Sequence, residues 1–375
     1  MEGNSLMEMF PQHAALTQVL IAGSNSLQFP VENLRRGFPG ARYADRFSVL
    51  VPFCLDYVKW DVVFNGEHPA HAPDIIFPLE DGKFQAALIA DGNLLDSYAA
   101  WRILHDWNVK ESSKLLELIK QLRLLYLQYQ RKLVEKVEDP RVQFEIQTLS
   151  SMHGLEMCLI MVADKPSEVK FAVPLFQVDY DLGTVRLQEV IHLQVIYKIG
   201  QSWNFSVPQL KLFTPHRVKE LFDVDDLKLP AWHDRMCIKE YLPSLIDRCK
   251  RQVQEAYTSA ALRKTFIESL SVLFGHPIEA DTIYGRKVSV LTSSATFIFL
   301  VHFGLGVQFP REQPTLTFQS CLHFDNNGKP VMRLYKEYPW SPRWETSEMV
   351  QRIFDFIAEE SASFKSYCND VLQNR

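Results

Sequence analysis

Three side chains that lie close together in the sequence could hold a metal ion. His68, His71 and Asp74 bring two imidazoles and a carboxylate into one short segment, and zinc accepts these ligand types. Pro69 and Pro73 restrict the backbone to an extended path, so the two imidazoles need not converge on one ion. The chain also contains no H-E-x-x-H motif, which would place two histidines on one helix face. We therefore expect solvated loop histidines here and no metal cofactor.

The sequence offers no recognisable nucleophile motif or nucleotide loop. Its six cysteines are scattered, the nearest two being Cys237 and Cys249, and no C-x-x-C pair occurs. No G-x-S-x-G turn presents a serine nucleophile. Gly304-Leu305-Gly306 lacks the third glycine of a dinucleotide-binding loop, and there is no G-K-[ST] phosphate loop. These features predict reduced, mostly buried thiols and no bound cofactor.

A proline motif occurs twice in the chain. Each copy has an apolar run, two prolines four residues apart and a phenylalanine four residues further on; the copies are 58–64 with Pro69, Pro73 and Phe77, and 296–303 with Pro310, Pro314 and Phe318. Proline fixes φ and removes a backbone donor, so each pair predicts a stiff loop where a sheet strand stops. Chance spacing among twenty prolines is the alternative, but the strand context on both sides favours one kind of domain built twice.

One segment near the end of the chain concentrates aromatic side chains between prolines. Large aromatic residues beside an arginine are typical of binding hot spots, and the prolines keep this segment extended. The candidate partner-binding residues are Tyr338, Trp340, Arg343 and Trp344. The alternative interpretation is a loop packed onto its own domain.

Length and composition predict two or three folded domains. The chain has 375 residues, of which 47% are hydrophobic and 23% are charged, as in ordinary globular proteins. The net charge of −5 gives no overall attraction to nucleic acids or anionic lipids, so we expect no direct nucleic-acid or membrane binding. The first residues lack the pattern of a secretory signal, which predicts an intracellular protein.

The elements that position these residues alternate between helices and short strands in the first third. We expect a helix at 6–21 that starts or bends at Pro11, strands at 46–53, 57–64 and 74–77, an irregular region at 82–110, and a helix from Ser112 or Ser113 to Lys136. Apolar residues recur at helical spacing in this last helix, and Asp139-Pro140 is expected to end it. A domain boundary is therefore expected near residue 137.

The rest of the chain repeats the mixture. We expect strands at 144–149, 157–162, 169–178, 190–199 and 210–213, helices at 239–257 and 259–274, strands at 287–292, 295–303 and 315–324, and a closing helix at 347–372. This order predicts an α+β fold with antiparallel strands. The predicted domains are 1–137, 138–257 and 258–375.

The duplicated loop, set between a meander of strands and a closing helix, resembles the ubiquitin-conjugating-enzyme fold. That family has a Tyr-Pro-x-x-Pro-Pro-like loop after its third strand, and residues 67–73 and 308–314 occupy this place, each with one proline fewer. The resemblance implies tandem ubiquitin-conjugating-enzyme-variant (UEV) or RWD-like domains. Each would be an antiparallel meander sheet with flanking helices, and the middle domain would be the most divergent.

An active conjugating enzyme carries His-Pro-Asn after this loop and then, beyond a glycine turn, the cysteine that accepts ubiquitin. In this sequence His323 and Asp325 stand at the first place, and Gly328 and Val331 stand at the second. Thioester transfer needs a thiolate, which valine cannot supply. The corresponding stretch of the first copy contains no cysteine. Both copies therefore resemble inactive variants of the fold that work by binding.

Longer strings narrow the resemblance to the BRE family. They are residues 58–65, 144–149, 309–320 and 338–344. The likeness extends over most of the chain in order and spacing, is strongest from 309 to 344, and is loose at 80–110 and 150–235. This family provides the scaffold subunit of the BRISC deubiquitinase complex and of its nuclear sister, the BRCA-one A complex.

The resemblance implies a non-catalytic scaffold subunit without a cofactor. Its implied partners are a zinc-dependent JAMM-type deubiquitinase, an Abraxas-type subunit and a MERIT-type adaptor. It also implies action on non-degradative lysine-linked polyubiquitin, a part in the DNA damage response and DNA repair, and a cytoplasmic and nuclear location.

Two alternatives to this function stay open from the sequence. A variant domain could bind ubiquitin weakly, or bind a proline-rich peptide, outside such a complex. A degenerate conjugating enzyme could instead use Cys321, which lies ahead of His323 on a predicted strand.

Overall fold

The computed structural model describes residues 8–23, 27–38, 40–90, 97–163, 165–181, 186–199, 207–221, 227–233 and 236–373. The chain divides into two compact units: Met1–Pro215 with Ala231–Pro243 form the first, and His216–Pro230 with Ser244–Arg375 form the second. Division into three domains stays a prediction. The expected α+β class with antiparallel sheets and flanking helices is confirmed.

The first sheet of the first unit is a four-stranded antiparallel meander. Its strands lie in chain order: β1 (Val31–Arg35), β2 (Arg46–Phe53), β3 (Asp56–Val63) and β4 (Asp74–Ile76). Strands β2, β3 and β4 were predicted, whereas β1 was not. The sequence pattern missed β1 because its residues are mostly exposed and a register irregularity interrupts its pairing with β2.

Four helices belong to the same part of the first unit. They are α1 (Pro11–Ala22), α2 (Gly82–Ala90), α3 (Ser97–His105) and α4 (Lys114–Glu135). The expected start of the first helix at Pro11 is confirmed, and α4 corresponds to the long helix predicted from Ser112 or Ser113 to Lys136. The prediction of an irregular region at 82–110 is wrong because it contains α2 and α3. Phe84 of α2 and Ala100 of α3 are buried in the core, so tertiary packing supplies the stability that local signals did not indicate.

The first core lies between this sheet and its helices. One face of α4 buries Leu115, Ile119, Leu122 and Leu125, which were expected from the helical spacing. They share a cluster with Trp60 and the other inward side chains of β2 and β3. The alternation of buried and exposed residues along β3 is typical of a sheet that packs one face on a core.

A second antiparallel meander follows in the first unit. Its elements are α5 (Pro140–Leu149), β5 (Glu156–Val162), β6 (Lys165–Asp181), β7 (Arg186–Lys198) and β8 (Gln209–Phe213). The predicted strand at 144–149 is wrong because these residues belong to α5. Asp139 caps this helix by accepting a hydrogen bond from the backbone N–H of Arg141, and Pro140 occupies the first helical turn. The Asp-Pro pair that was expected to end one helix therefore begins the next.

The remaining elements complete the chain. They are α6 (His216–Leu221), α7 (Ile238–Phe274), β9 (Glu279–Ala280), β10 (Lys287–Ser294), β11 (Phe297–Gly304), β12 (Thr315–Phe324), β13 (Pro330–Tyr335) and α8 (Thr346–Gln373). Two helices predicted at 239–257 and 259–274 are one continuous helix, α7. Thr258, which stands between the two predicted helices, lies within α7, and its hydroxyl donates to the carbonyl of Gln254 one turn earlier. The division between the two compact units falls within α7, after Pro243.

The sheet of the second unit has the strand order β13-β12-β11-β10-β9, and every pairing is antiparallel. Its inner face and the helices α7 and α8 share a core rich in phenylalanine, including Phe266, Phe299, Phe318 and Phe364. In this sheet, as in the first, a loop with two prolines joins the third strand in chain order to the fourth: β3 to β4, and β11 to β12. No helix in the described part of the chain is long and apolar enough to cross a membrane.

Candidate functional site

The first proline loop is fixed to α1 through a buried histidine. The imidazole of His13 is fully buried, stacks on Phe64 at 3.9 Å between ring centroids, and lies with Nε2 2.8 Å from the carbonyl oxygen of Pro69. Because a carbonyl can only accept, Nε2 carries the proton of this hydrogen bond. Burial lowers the pKa of His13. The loop therefore rests on a neutral imidazole.

The histidine pair of this loop is arranged as ring partners. The imidazoles of His68 and His71 stack with 5.1 Å between centroids, and both residues are exposed. The side chain of Asn65 accepts from the backbone N–H of His68, which closes the turn that leads into the loop. Within the described residues, no group of three His, Cys, Asp or Glu side chains could hold a metal ion.

The end of the first loop returns to the core. Pro73 is buried, and Phe77 packs edge-on against Trp60 at 5.3 Å and against Phe84 at 5.1 Å. Aromatic pairs favour this edge-to-face arrangement. Pro69, Pro73 and Phe77 therefore form a structural unit with the first core.

The second proline loop is held by α7. The hydroxyl oxygen of Ser259 lies 2.6 Å from the carbonyl oxygen of Phe309 and 2.9 Å from that of Val307. These loop carbonyls have no partner strand, and the hydroxyl of Ser259 on α7 serves as their hydrogen-bond donor.

Arg263 lies one turn after Ser259 on α7 and extends this support. Its side chain is fully buried; Nε donates to the carbonyl of Tyr284 at 2.8 Å, and Nη1 donates to Ser259 at 2.8 Å and to the carbonyl of Gly306 at 3.2 Å. These acceptors are neutral. Burial, together with the smaller effect of the nearby Arg286, lowers the pKa of Arg263 to about 10. Sequence reasoning did not single out Arg263.

The aromatic segment covers the outside of the second loop. The phenol of Tyr338 donates to the carbonyl of Pro314, and Nε1 of Trp340 donates to the carbonyl of Pro310 at 3.2 Å. The indole of Trp340 also packs 5.7 Å from Phe309. The prolines of the loop thus provide the acceptors for the two aromatic donors.

The predicted partner-binding residues therefore separate into two pairs. Tyr338 is buried and Trp340 is half-buried, and both bond to the chain's own proline loop. Trp344 is half-buried beneath the guanidinium of Arg352 at 5.5 Å, and Arg343 is exposed. A role for these residues in partner binding stays a prediction, and Arg343 has the most accessible side chain of the four.

A closed hairpin contains the residues that the sequence analysis compared with the catalytic region of conjugating enzymes. The carboxylate of Asp325 accepts from the backbone N–H groups of Asn327 and Lys329, both at 2.8 Å, and Gly328 adopts a φ of +72°. Glycine suits this left-handed position because it has no Cβ. These bonds form a tight turn that joins β12 to β13.

The side chains on either side of this turn are occupied. Nδ1 of His323 lies 2.8 Å from the hydroxyl oxygen of Ser320, and the imidazole packs 5.8 Å from Phe297. Val331 is only 4% exposed and belongs to the second core. Phe318, on the strand that follows the proline loop, is fully buried in the same core.

The cysteines are free thiols, and most are buried. Burial raises the pKa of five of them, to about 11 for Cys158, Cys249 and Cys368, with Cys54 and Cys237 shifted in the same direction. Raised thiol pKa values lower the thiolate fraction at neutral pH. Cys321, on β12, is half-buried.

A strained turn joins the two sheets of the first unit, which sequence analysis did not predict. Cys54 and Leu55 form the two-residue turn between β2 and β3, with φ values of +49° and +65°. Glycine or asparagine is usual in such turns. The carboxylate of Glu156 on β5 accepts from the N–H of Cys54 at 2.7 Å and is also bound by Arg123 of α4. In the sequence, the only indication of this strained turn was a pair of non-glycine residues, Cys54 and Leu55, between two predicted strands.

A second buried carboxylate connects α5 to the start of α7. Glu145, 2% exposed, accepts from the phenol of Tyr197 at 2.6 Å and from the backbone N–H of Ile238 at 3.1 Å. An acidic group at a helix N-terminus satisfies a free N–H and faces the positive end of the helix dipole. Burial raises the pKa of Glu145, and these hydrogen bonds oppose the shift.

Comparison with known proteins places the chain among relatives. The family model described as Brain and reproductive organ-expressed protein (BRE) matches residues 22–324. A protein of Branchiostoma floridae named "BRISC and BRCA1-A complex member 2" is 29% identical over 334 residues, which cover 86% of this chain and 83% of that protein. A protein of Danio rerio with the same name is 28% identical over 339 residues, covering 86% of this chain and 82% of that protein.

Proposed function

This chain belongs to the BRE family, and from that premise we propose that it is a non-catalytic scaffold subunit of a BRISC-type or BRCA1-A-type deubiquitinase complex. Both relatives carry the name of a complex member. Their similarity extends over most of each chain, so the proposal concerns the whole protein.

The observation that supports a non-catalytic role most directly is the burial of Val331. The resemblance to conjugating enzymes puts the ubiquitin-accepting thiol near this position, at an exposed site beside a loop. Here the residue is valine, points into the core, and follows a turn closed by Asp325. A cysteine that accepts the carboxyl terminus of ubiquitin must be exposed to solvent and able to ionise to the thiolate. Neither condition is met at residue 331.

We propose further that residues 1–137 and 258–375 are UEV-type domains and that the middle region is a divergent relative. The support is topological: in both sheets the two-proline loop connects the third strand to the fourth. The anchors differ, since His13 contacts one loop while Ser259 and Arg263 contact the other. The shared topology therefore does not depend on the same contacts.

Within such a complex, hydrolysis of lysine-linked polyubiquitin falls to a JAMM-type deubiquitinase with an Abraxas-type subunit. This chain connects that pair to a MERIT-type adaptor and acts in both the cytoplasm and the nucleus. The support for these partners and locations is the BRE family membership.

Co-expression tests the scaffold proposal. The full chain is expressed with the three candidate subunits, and the eluted complex is sized by light scattering; we expect one stable assembly that loses the adaptor when this chain is omitted. A metalloprotease pair that binds the adaptor equally well without this chain would overturn the scaffold role. Replacing the exposed Lys110 by alanine serves as a surface control.

A thioester assay tests the non-catalytic role. The full chain is incubated with activating enzyme, ATP and ubiquitin, and adducts are compared with and without reductant. We expect no reducible adduct. An adduct that disappears in Cys321→Ala but persists in Cys158→Ala would show that the chain is a conjugating enzyme.

A further inference from the structure

Strand β13 forms an open edge of the sheet in the second unit. It is the terminal strand in the order β13-β12-β11-β10-β9 and pairs with β12 alone among the described strands. In an antiparallel pair, about half of a strand's N–H and C=O groups point towards the neighbour and half point away. The outward groups of β13 therefore lie along a free edge, which is a template for another strand.

The other sheet edges in the described residues are short or interrupted. β9 has two residues and β4 has three, while β1 contains a register irregularity. The N–H of Leu159 on β5 is occupied by the side-chain oxygen of Gln130 at 3.3 Å. β8 has five residues and lies between two prolines, which cannot donate to a ladder. β13 has six residues and pairs regularly with β12 from Tyr335 to Met332, and its register shifts only before Pro330, at the turn end of the strand.

The exposed face of β13 presents apolar side chains in register with its sheet. Met332 and Leu334 are 47% and 50% exposed, whereas Val331 and Tyr335 point into the core. Met332 pairs with Gln319, which pairs with Leu300 on β11. An added strand would continue this row and the neighbouring row of Leu334 with residues at positions i and i+2.

β13 contains one charged residue, which is basic, and a lysine stands directly before and directly after the strand, the second followed by Glu337. Lys329, Arg333 and Lys336 lie on or beside the strand, and none of them takes part in an ion pair that the described residues form. The two lysines are exposed and seven positions apart, about 23 Å along an extended chain. Lysine on an edge also discourages self-association, and this protective role is the alternative to a docking role.

We propose that β13 docks an extended segment of a partner protein, which adds to the sheet as a further strand. The segment has acidic side chains about seven positions apart, facing Lys329 and Lys336, and aliphatic side chains at i and i+2 beside Met332 and Leu334. Main-chain hydrogen bonds provide affinity and the two side-chain rows provide specificity. The inference names a partner chemistry for the scaffold proposed above and rests on that function only for its biological role.

Synthetic peptides test the docking edge on the full chain. The probe is a fluorescent peptide of about ten residues with two glutamates seven positions apart, valine and isoleucine two positions apart (i and i+2) between them, and threonine elsewhere. Its matched control has lysines in place of the glutamates. We expect saturable binding of the acidic peptide by fluorescence anisotropy, at least about tenfold weaker binding of the basic peptide, and slower hydrogen exchange at 330–335.

Two further arms separate strand addition from simple charge attraction. A version of the acidic peptide N-methylated at every second residue keeps its charges but loses donors, and we expect its binding to be lost. In the protein, combining Lys329→Glu with Lys336→Glu should reverse the peptide preference, whereas Lys110→Glu with Lys239→Glu should not.

Equal affinity for both peptides, unchanged affinity after N-methylation, or protection outside 330–335 would each overturn the proposal and favour the protective role of the lysines. Failure of this test would leave the co-expression test of the scaffold untouched, because that test does not involve an isolated peptide. Failure of the scaffold test would likewise leave the peptide result to be decided on its own.

Discussion

Replacing Trp340 by alanine separates a structural role for the aromatic segment from a binding role. The side chain is half-buried, packs 5.7 Å from Phe309 and 6.2 Å from Phe266, and donates a hydrogen bond to Pro310. Truncation of a fully buried tryptophan to alanine lowers the free energy of unfolding by about 3–5 kcal/mol. Because Trp340 is only half-buried, and because the lost hydrogen bond adds about 1 kcal/mol, we expect a loss of about 2–4 kcal/mol.

Two variants calibrate this expectation. Trp340→Phe keeps most of the ring packing and removes the donor, so it should lose about 1 kcal/mol. Arg343→Ala alters an exposed side chain three residues away and should change the free energy of unfolding by less than about 0.5 kcal/mol. The order Trp340→Ala, Trp340→Phe, Arg343→Ala therefore follows from the contacts alone.

The assay must report on the second unit rather than on the whole chain. Hydrogen exchange of peptides from β12, measured by mass spectrometry at increasing urea, gives the unfolding free energy of this unit. Affinity for the co-expressed subunits is measured in parallel. A Trp340→Ala protein with unchanged exchange at β12 and affinity reduced by about 2 kcal/mol or more would refute the structural role and identify a binding hot spot.

Three other perturbations test the loop anchors and the buried carboxylate. Arg263→Met should destabilise the second unit by about 3 kcal/mol and speed hydrogen exchange at 306–310, because buried carbonyls lose their donor, whereas an unchanged exchange rate would show that the loop holds itself. His13 has a lowered pKa when folded, so the unfolded chain binds protons more readily and stability should fall as pH decreases below 6.5; His13→Gln, followed by urea unfolding at several pH values, should flatten that slope. Glu145→Ala should cost about 3 kcal/mol or more by leaving the phenol of Tyr197 and a helix N–H unpaired, with Tyr197→Phe as a milder control, and equal midpoints of the two variants would contradict the capping role.

Sequence patterns predicted correctly those helices and strands whose local pattern of apolar and polar residues is enough to determine their secondary structure. The alternation along β2 and β3 and the apolar stripe of α4 follow directly from burial of one face. The run Phe144–Leu149 was ambiguous because a short apolar run suits a strand or a helix, and the cap at Asp139 decided for a helix. α2 and α3 could not be predicted because their stability comes from distant core residues.

The same distinction applies to the candidate site. The proline spacing and the absence of a thiol near Val331 were visible in the sequence. The donors that support the loops were not, because Arg263 lies about forty residues before Gly306, whose carbonyl in the loop it contacts, and His13 lies more than fifty residues before Pro69. Hot-spot composition alone could not show that Tyr338 and Trp340 bond to their own loop, since aromatic residues serve cores and interfaces equally.

The hairpin of β12 and β13 also limits how this fold can change. A Val331→Cys substitution would place its sulfur in the second core, where 4% exposure leaves almost no path for another protein's thioester. Burial would raise the pKa of such a thiol, as it does for Cys368. Such a thiol would become accessible only if the turn at Asp325 opened and β13 left the sheet, which would also remove Tyr335 from the core. A cysteine at residue 331 alone would therefore not present an exposed thiolate on this hairpin.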